Sequence, residues 1–200
     1  MNTEKAKALA KPVAPRGLAR ERVLDAAVAL FAEHGVHGTS LQTIADRIGV
    51  GKAAVYYQFP SKEGIALEVI RPCIEDVDRV IKIADALPDP QQRRVVAVSG
   101  LVEMVVRHRR LAVVFYGDPA IDALMTSDPD FKAVNDRLRE LMEGPDRSDV
   151  DRIGFSVFCS GVGRAAADPD LADIDDADLH RALLELFGRI LTPAVQPSQP

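Results

Sequence analysis

Two hundred residues, 47% of them hydrophobic, suffice for one large core or two small ones and exclude wholesale disorder. No stretch approaches the roughly 20 uninterrupted apolar residues of a membrane span. The first residues lack the apolar run of a secretory signal, and two lone cysteines, Cys73 and Cys159, fit a reducing cytoplasm rather than a disulfide scaffold.

The net charge of −5 is unevenly spread: residues 1–64 carry nine basic and six acidic side chains, leaving +3 there and −8 over the remainder. Such asymmetry fits a nucleic-acid-facing head on an acidic body. In chain order, a basic arm interrupted by Pro12 and Pro15 comes first. From Leu18 the pattern is helical, with Val23, Leu24, Ala27, Leu30 and Phe31 on one face and Gly35 as its stop. Thr39 or Ser40 caps a second helix, whose apolar face is Leu41, Ile44, Ala45 and Ile48. Gly49 closes it, Val50 and Gly51 turn the chain, and a third short helix runs from Lys52 to Gln58.

Beyond Pro60, a long helix from Ser61 to Ala86 contains Pro72, which should kink or split it. DALPDPQ reads as a helix breaker, and a helix resumes after Pro90 to about Val106. RHRR at 107–110 interrupts it before LAVVFY, and a less regular region follows from Asp118 to Asp130. Phe131–Met142 and Asp149–Ala167 read as helices, ADPDLADIDDAD as an acidic loop, and Leu179–Leu191 as a last helix. No strand alternation and no repeat stand out, so the fold class is all α.

Three helices within about 45 residues, the last two joined by a tight turn, form a helix-turn-helix. Its third helix matches the width of the B-DNA major groove. Val55 and Phe59 would anchor that helix inward. Lys52, Ala53, Tyr56, Tyr57 and Gln58 are left outside, with a lysine for guanine or phosphate, small side chains for close approach and phenols for phosphate or sugar. The competing reading places one tyrosine of the pair in the core against the fourth helix.

The run from Gly35 to Glu63, GVHGTSLQTIADRIGVGKAAVYYQFPSKE, resembles the DNA-binding domain of TetR-family regulators, and the likeness extends over residues 18–68. The resemblance implies an N-terminal helix-turn-helix domain and a C-terminal helical domain for effector binding and dimerisation. It divides the chain into a flexible arm (1–17), a DNA-binding domain (18–64), an effector-binding and dimerisation domain (65–191) and a disordered tail (192–200). By position it implies that Ser40 and Gln42 lie beside the DNA backbone, that Lys52 and Ala53 approach bases, and that Tyr56 and Tyr57 contact phosphate, sugar or base. Gln58 and Lys62 would hold phosphate. Three departures mark this chain: Gly51 for a capping serine, Ala53 for a common glycine, and Gln58 for a frequent histidine or tyrosine. The implied partners are a palindromic duplex operator, a second copy of the chain and a small effector. Whether the outcome is repression or activation depends on where the operator lies.

The acidic body offers no motif for a pocket. Its soft and aromatic side chains, Met104, Phe115, Tyr116, Met125, Phe131, Phe155, Phe158 and Cys159, are the candidates for lining one, and favour an adaptable, largely apolar ligand. Arg107–Arg110 could meet an anionic group. The small residues Ser160, Gly161 and Gly163, with Leu183, Leu184, Leu186, Phe187 and Ile190, could form a dimer seam, or the small ones could serve close packing inside one subunit. No GxSxG, HExxH, P-loop or dinucleotide fingerprint is present, so no catalytic residue, metal site or cofactor is expected.

Overall fold

The computed structural model describes residues 16–116, 118–144 and 148–191, with the side chains of 16–18, Val113, Phe115 and 189–191 left aside. The expected tail and nearly all of the expected arm lie outside these residues. The arm's last two, Arg16 and Gly17, open the first helix instead.

Among the described residues the chain forms ten α-helices and no strand. They are α1 (Arg16–Gly38), α2 (Leu41–Ile48), α3 (Lys52–Gln58), α4 (Lys62–Asp85), α5 (Pro90–Arg107), α6 (Arg109–Phe115), α7 (Pro119–Ser127), α8 (Pro129–Glu143), α9 (Asp149–Ala167) and α10 (Asp176–Leu191), with a 3₁₀ turn at Pro169–Leu171. Gly35 adopts φ 70° and breaks the regular run inside α1, although helical turns resume for three residues beyond it. Ser40 caps α2 in a reciprocal box with Thr43, and left-handed Gly49 ends it. Ser61 caps α4, which continues through Pro72 as a single helix rather than splitting.

Asp-Pro pairs organise the body. Asp89-Pro90, Asp118-Pro119, Asp128-Pro129 and Asp168-Pro169 each open a helical element, the aspartate accepting from the free amides while the proline occupies the first turn. A proline there gives up no hydrogen bond and has its φ already set for helix. This is why the region from Asp118 to Asp130, expected to be irregular, holds α7 and the start of α8. For the same capping reason, the expected acidic loop contains a 3₁₀ turn and the first turn of α10, where aspartates meet the positive end of the helix dipole.

Two cores result. One gathers Val23, Ala27, Leu30 and Phe31 of α1, Ile44 and Ala45 of α2, and Val55 and Phe59 at α3. It also takes Ile65, Ala66 and Val69 from α4, Val114 from α6 and Ile121 from α7, so the head's core is not closed by residue 64. The other is built from α4, α5, α6, α8, α9 and α10, with Phe158 and Phe187 in edge-to-face contact at 4.5 Å.

Candidate nucleic-acid interface and body cavity

Helix α3 is anchored by Val55, which is completely buried, and by Phe59, over whose ring the Arg20 guanidinium lies at 4.8 Å. Its other face is open. Tyr57 is 84% exposed and Tyr56 57%, and Lys52 and Ala53 are also exposed, so neither tyrosine is a core residue. Gly51 opens the helix with no side-chain cap. The α2 side is presented by Ser40, whose hydroxyl oxygen accepts from Thr43 N, and by Gln42, whose amide donates to Asp46 at 2.7 Å; both residues are exposed. Gln58 is half-buried, with its amide nitrogen 3.5 Å from the carbonyl of Ala54 and its Oε1 enclosed without a protein partner. Arg47 grips Glu33 across α1 and α2, and that hydrogen bond holds the Glu33 carboxyl below its ordinary pKa.

Lys62 departs from expectation. Its Nζ donates to the carbonyls of Val36, His37 and Thr39 at 2.9, 3.0 and 3.2 Å. An ammonium has three N–H donors, so all are used on the end of α1 and the residue just past it, and none is left for phosphate. The side chain is a clamp within the head. The sequence signal was misleading because a lysine in the first turn of a helix reads the same whether it faces solvent or an adjacent helix end.

The body encloses a cavity of about 250 Å³. Its wall takes Cys73, Ile74 and Val77 from α4, Leu101, Met104 and Val105 from α5, and Ala112 from α6. It also takes Met125 from α7, Phe131, Val134 and Leu138 from α8, and Cys159 from α9. Four polar groups interrupt this apolar wall: His108, Tyr116, Asp122 and Asn135. Burial pushes both the Cys73 and Cys159 thiols up to about 12, so they remain protonated and act as soft, polarizable wall.

Of the expected pocket residues, Met104, Tyr116, Met125, Phe131 and Cys159 lie in the wall, whereas Phe155 and Phe158 pack into the body core. The side chain of Phe115 is outside the described set. The helical period alone could not separate a residue beside the hollow from one beside a neighbour. His108 was visible only as part of a basic run. It sits at the bend between α5 and α6, with Nε2 2.7 Å from buried Asp76. Arg107 also reaches Asp76, at 3.7 Å, and Arg110 is exposed. Arg107 pairs with Glu103, and Arg109 donates to the carbonyls of Ala166, Ile174 and Leu171, tying α6 to the end of α9.

Of the small residues of α9, Gly163 is buried and Ser160 is exposed. A Cβ at Gly163 would overlap the Tyr116 ring, so this glycine permits close packing within the subunit. Leu183 and Phe187 are buried in the same subunit, and the side chain of Ile190 is not described. Val150, Ile153 and Val157, spaced three and four apart on α9, are exposed instead, as is Leu186 of α10. The period places the α9 trio on one helix face.

Residues 23–69 match the family described as "Bacterial regulatory proteins, tetR family". Among curated relatives, the HTH-type transcriptional repressor KstR2 of Mycobacterium tuberculosis is 30% identical over 157 residues, covering 78% of this chain and 72% of its own. The chain belongs to the tetR family of regulators. IcaR of Staphylococcus aureus, a negative transcriptional regulator of the biofilm operon icaADBC, is 34% identical over 62 residues, or 31% of this chain and 33% of that one. In solved structures, KstR2 of Mycobacterium tuberculosis, described as a ketosteroid transcriptional regulator, superposes with TM-score 0.66 at 20% identity over 90% of this chain and 94% of its own. The fatty acid degradation regulator FadR from Bacillus halodurans gives 0.61 at 17% identity over 92% and 100%. The tetR-family fold, a helix-turn-helix head on a helical body, is thus the fold of this chain, and it is a DNA-binding transcriptional regulator.

Proposed function

We propose that this tetR-family regulator is a repressor that binds a palindromic operator as a homodimer and lets go when a small, largely apolar molecule fills the body cavity. The observation that carries the reading is the outward face of α3, where Lys52, Ala53, Tyr56 and Tyr57 stand clear of the head core while Val55 and Phe59 hold the helix rigid. A helix so presented delivers a cation and two phenols to a major groove. Ser40, Gln42 and Gln58 flank it along the DNA backbone.

Residues 18–64 are assigned to DNA recognition and 65–191 to effector binding and pairing. One recognition helix spans too few base pairs to be selective, and a two-fold copy places a second in a neighbouring groove. The face for that copy is the exposed Val150, Ile153, Val157 stripe of α9 with Leu186 of α10. The mostly apolar cavity supports an apolar effector, in keeping with the ketosteroid regulator KstR2 and the fatty acid degradation regulator FadR, whose folds this chain resembles.

Selection of duplexes from a random pool tests the first half of the proposal, and an inverted repeat with steeply salt-dependent binding is the expected product. Footprinting of the selected operator with a panel of sterol-like and fatty acyl compounds tests the second. Protection that persists at saturating occupancy of the cavity would defeat the release mechanism.

A further inference from the structure

Helix α7 belongs to both halves of the molecule. Ile121 is completely buried in the head core, and Ala120, Leu124 and Met125 pack against that core. Asp122 and Met125 of the same helix lie in the wall of the body cavity. Met125 therefore touches both environments. The residue that caps α7, Asp118, extends the link. One carboxylate oxygen, Oδ1, accepts from Ala120 N at 2.8 Å and starts α7. The other, Oδ2, accepts from Val36 N at 2.5 Å, across 82 positions of sequence.

Val36 occupies the elbow of the head. It follows Gly35, whose φ of 70° breaks α1, and a Cβ at Gly35 would come within 3.2 Å of Asp118 Oδ2. Its side chain is completely buried, and its carbonyl accepts from Lys62 at 2.9 Å. The Val36 residue is thus held at its N–H by the body and at its C=O by the first turn of α4. Four residues later Ser40 caps α2, so the elbow sets the angle at which α2, and with it α3, leaves α1.

We propose that Asp118 is a positioning residue for DNA binding, its clasp on Val36 tying the cavity-wall helix α7 to the elbow that aims the recognition helix. The inference rests on the functional reading above, and the clasped arrangement is the operator-binding one. A carboxylate suits the task because it offers two acceptor oxygens and a charge, one oxygen for each duty. Asparagine and serine cap helices about as well as aspartate. Neither can do both jobs: asparagine has one acceptor oxygen, and its amide would oppose the Val36 N–H as a second donor, while serine is too short.

The test uses the full chain and an operator selected with the wild-type protein. If no operator can be selected, the DNA-binding reading itself has failed. With an operator in hand, Asp118→Asn and Asp118→Ser are expected to weaken binding by about tenfold or more, the scale of a lost charge-assisted hydrogen bond. Melting temperature should fall by no more than the few degrees that one lost hydrogen bond costs, the salt slope should stay at its wild-type value, and the Val36 amide should exchange faster with solvent. A residue that merely supported the fold would lower the melting temperature and leave the folded fraction binding normally. Operator affinity within about twofold of wild type, where tenfold is expected, or failure of both variants to fold, overturns the assignment. A double-mutant cycle then checks the tie to the cavity. Met125→Phe, which crowds the wall, should weaken operator binding in the wild-type background and add little to Asp118→Asn. Full additivity would break the proposed connection.

Discussion

The head and the body of this molecule are made of the same kind of helix, yet they differ in how completely they are filled. In the head, short elements closed by Ser40, Gly49 and Ser61 press Val55 and Phe59 into a continuous core. In the body, longer helices surround a hollow of about 250 Å³. A DNA groove demands a fixed shape, so the protein side must be rigid. A ligand must enter and leave, so the body leaves part of its interior unpacked. A filled core and an unfilled one thus lie a few residues apart along α4, the first suited to holding a shape and the second to admitting a ligand.

The largest expected effect sharpens that contrast. Phe59→Ala removes a buried ring beneath Arg20 in a closed core and should cost about 3–5 kcal/mol in urea denaturation. Leu138→Ala enlarges a space that already exists. Its side chain lacks partner atoms on the cavity side, so the loss should fall near the lower end of the range for such truncations, about 2 kcal/mol. Equal costs would mean that the body hollow is closed by packing as tight as the head's.

A smaller effect is expected at Lys62. Lys62→Met keeps the stem and removes the ammonium, leaving the carbonyls of Val36, His37 and Thr39 without their donor. Stability should drop by about 1–3 kcal/mol. The slope of operator affinity against salt should be unchanged, since no phosphate contact is lost. A slope reduced by about one unit would restore Lys62 to the DNA interface. Lys52→Ala is the counterpart, because exposed Lys52 opens α3. It should lower discrimination between operator and random DNA by about 1–3 kcal/mol while leaving stability unchanged.

What could be read from the sequence follows the same division. The α3 face was legible because Val55 and Phe59, four apart, leave Tyr56, Tyr57 and Lys52 no place inside a small core. The α7 helix was not legible, since Asp118-Pro119 carries the same letters as a turn and becomes a helix start only when the following residues find something to bury, here Ile121 in the head core. The cavity wall was half legible. Residue type suggested Met104, Met125 and Cys159, but a hollow is defined by missing neighbours, and missing neighbours leave no mark in a helical period. Gly163 was open to two readings, a seam with a second subunit or close packing within one, and it makes room for Tyr116 of its own chain.

The smallest effect is one of pH, and it concerns the bend where the two halves meet. Burial, reinforced by the charges of Arg107 and Arg79, holds His108 below its ordinary pKa. Asp76, 2.7 Å from Nε2, opposes this, but its carboxylate also serves Arg79 and Arg107, so the neutral ring donates its N–H to an already compensated partner. The ring shares the cavity wall with Asp122 and Tyr116. A histidine whose folded pKa is depressed is protonated first in the unfolded chain. The stability it contributes is therefore present above the unfolded value of about 6.5 and declines as pH falls through it, levelling off once the folded pKa is passed. His108→Asn, which keeps a donor toward Asp76 without titrating, should flatten this part of the profile between about pH 7.5 and 5.5 in thermal melts. A wild-type chain that instead gains stability relative to His108→Asn on acidification would show that the Asp76 charge outweighs burial, and that the bend tightens when protonated.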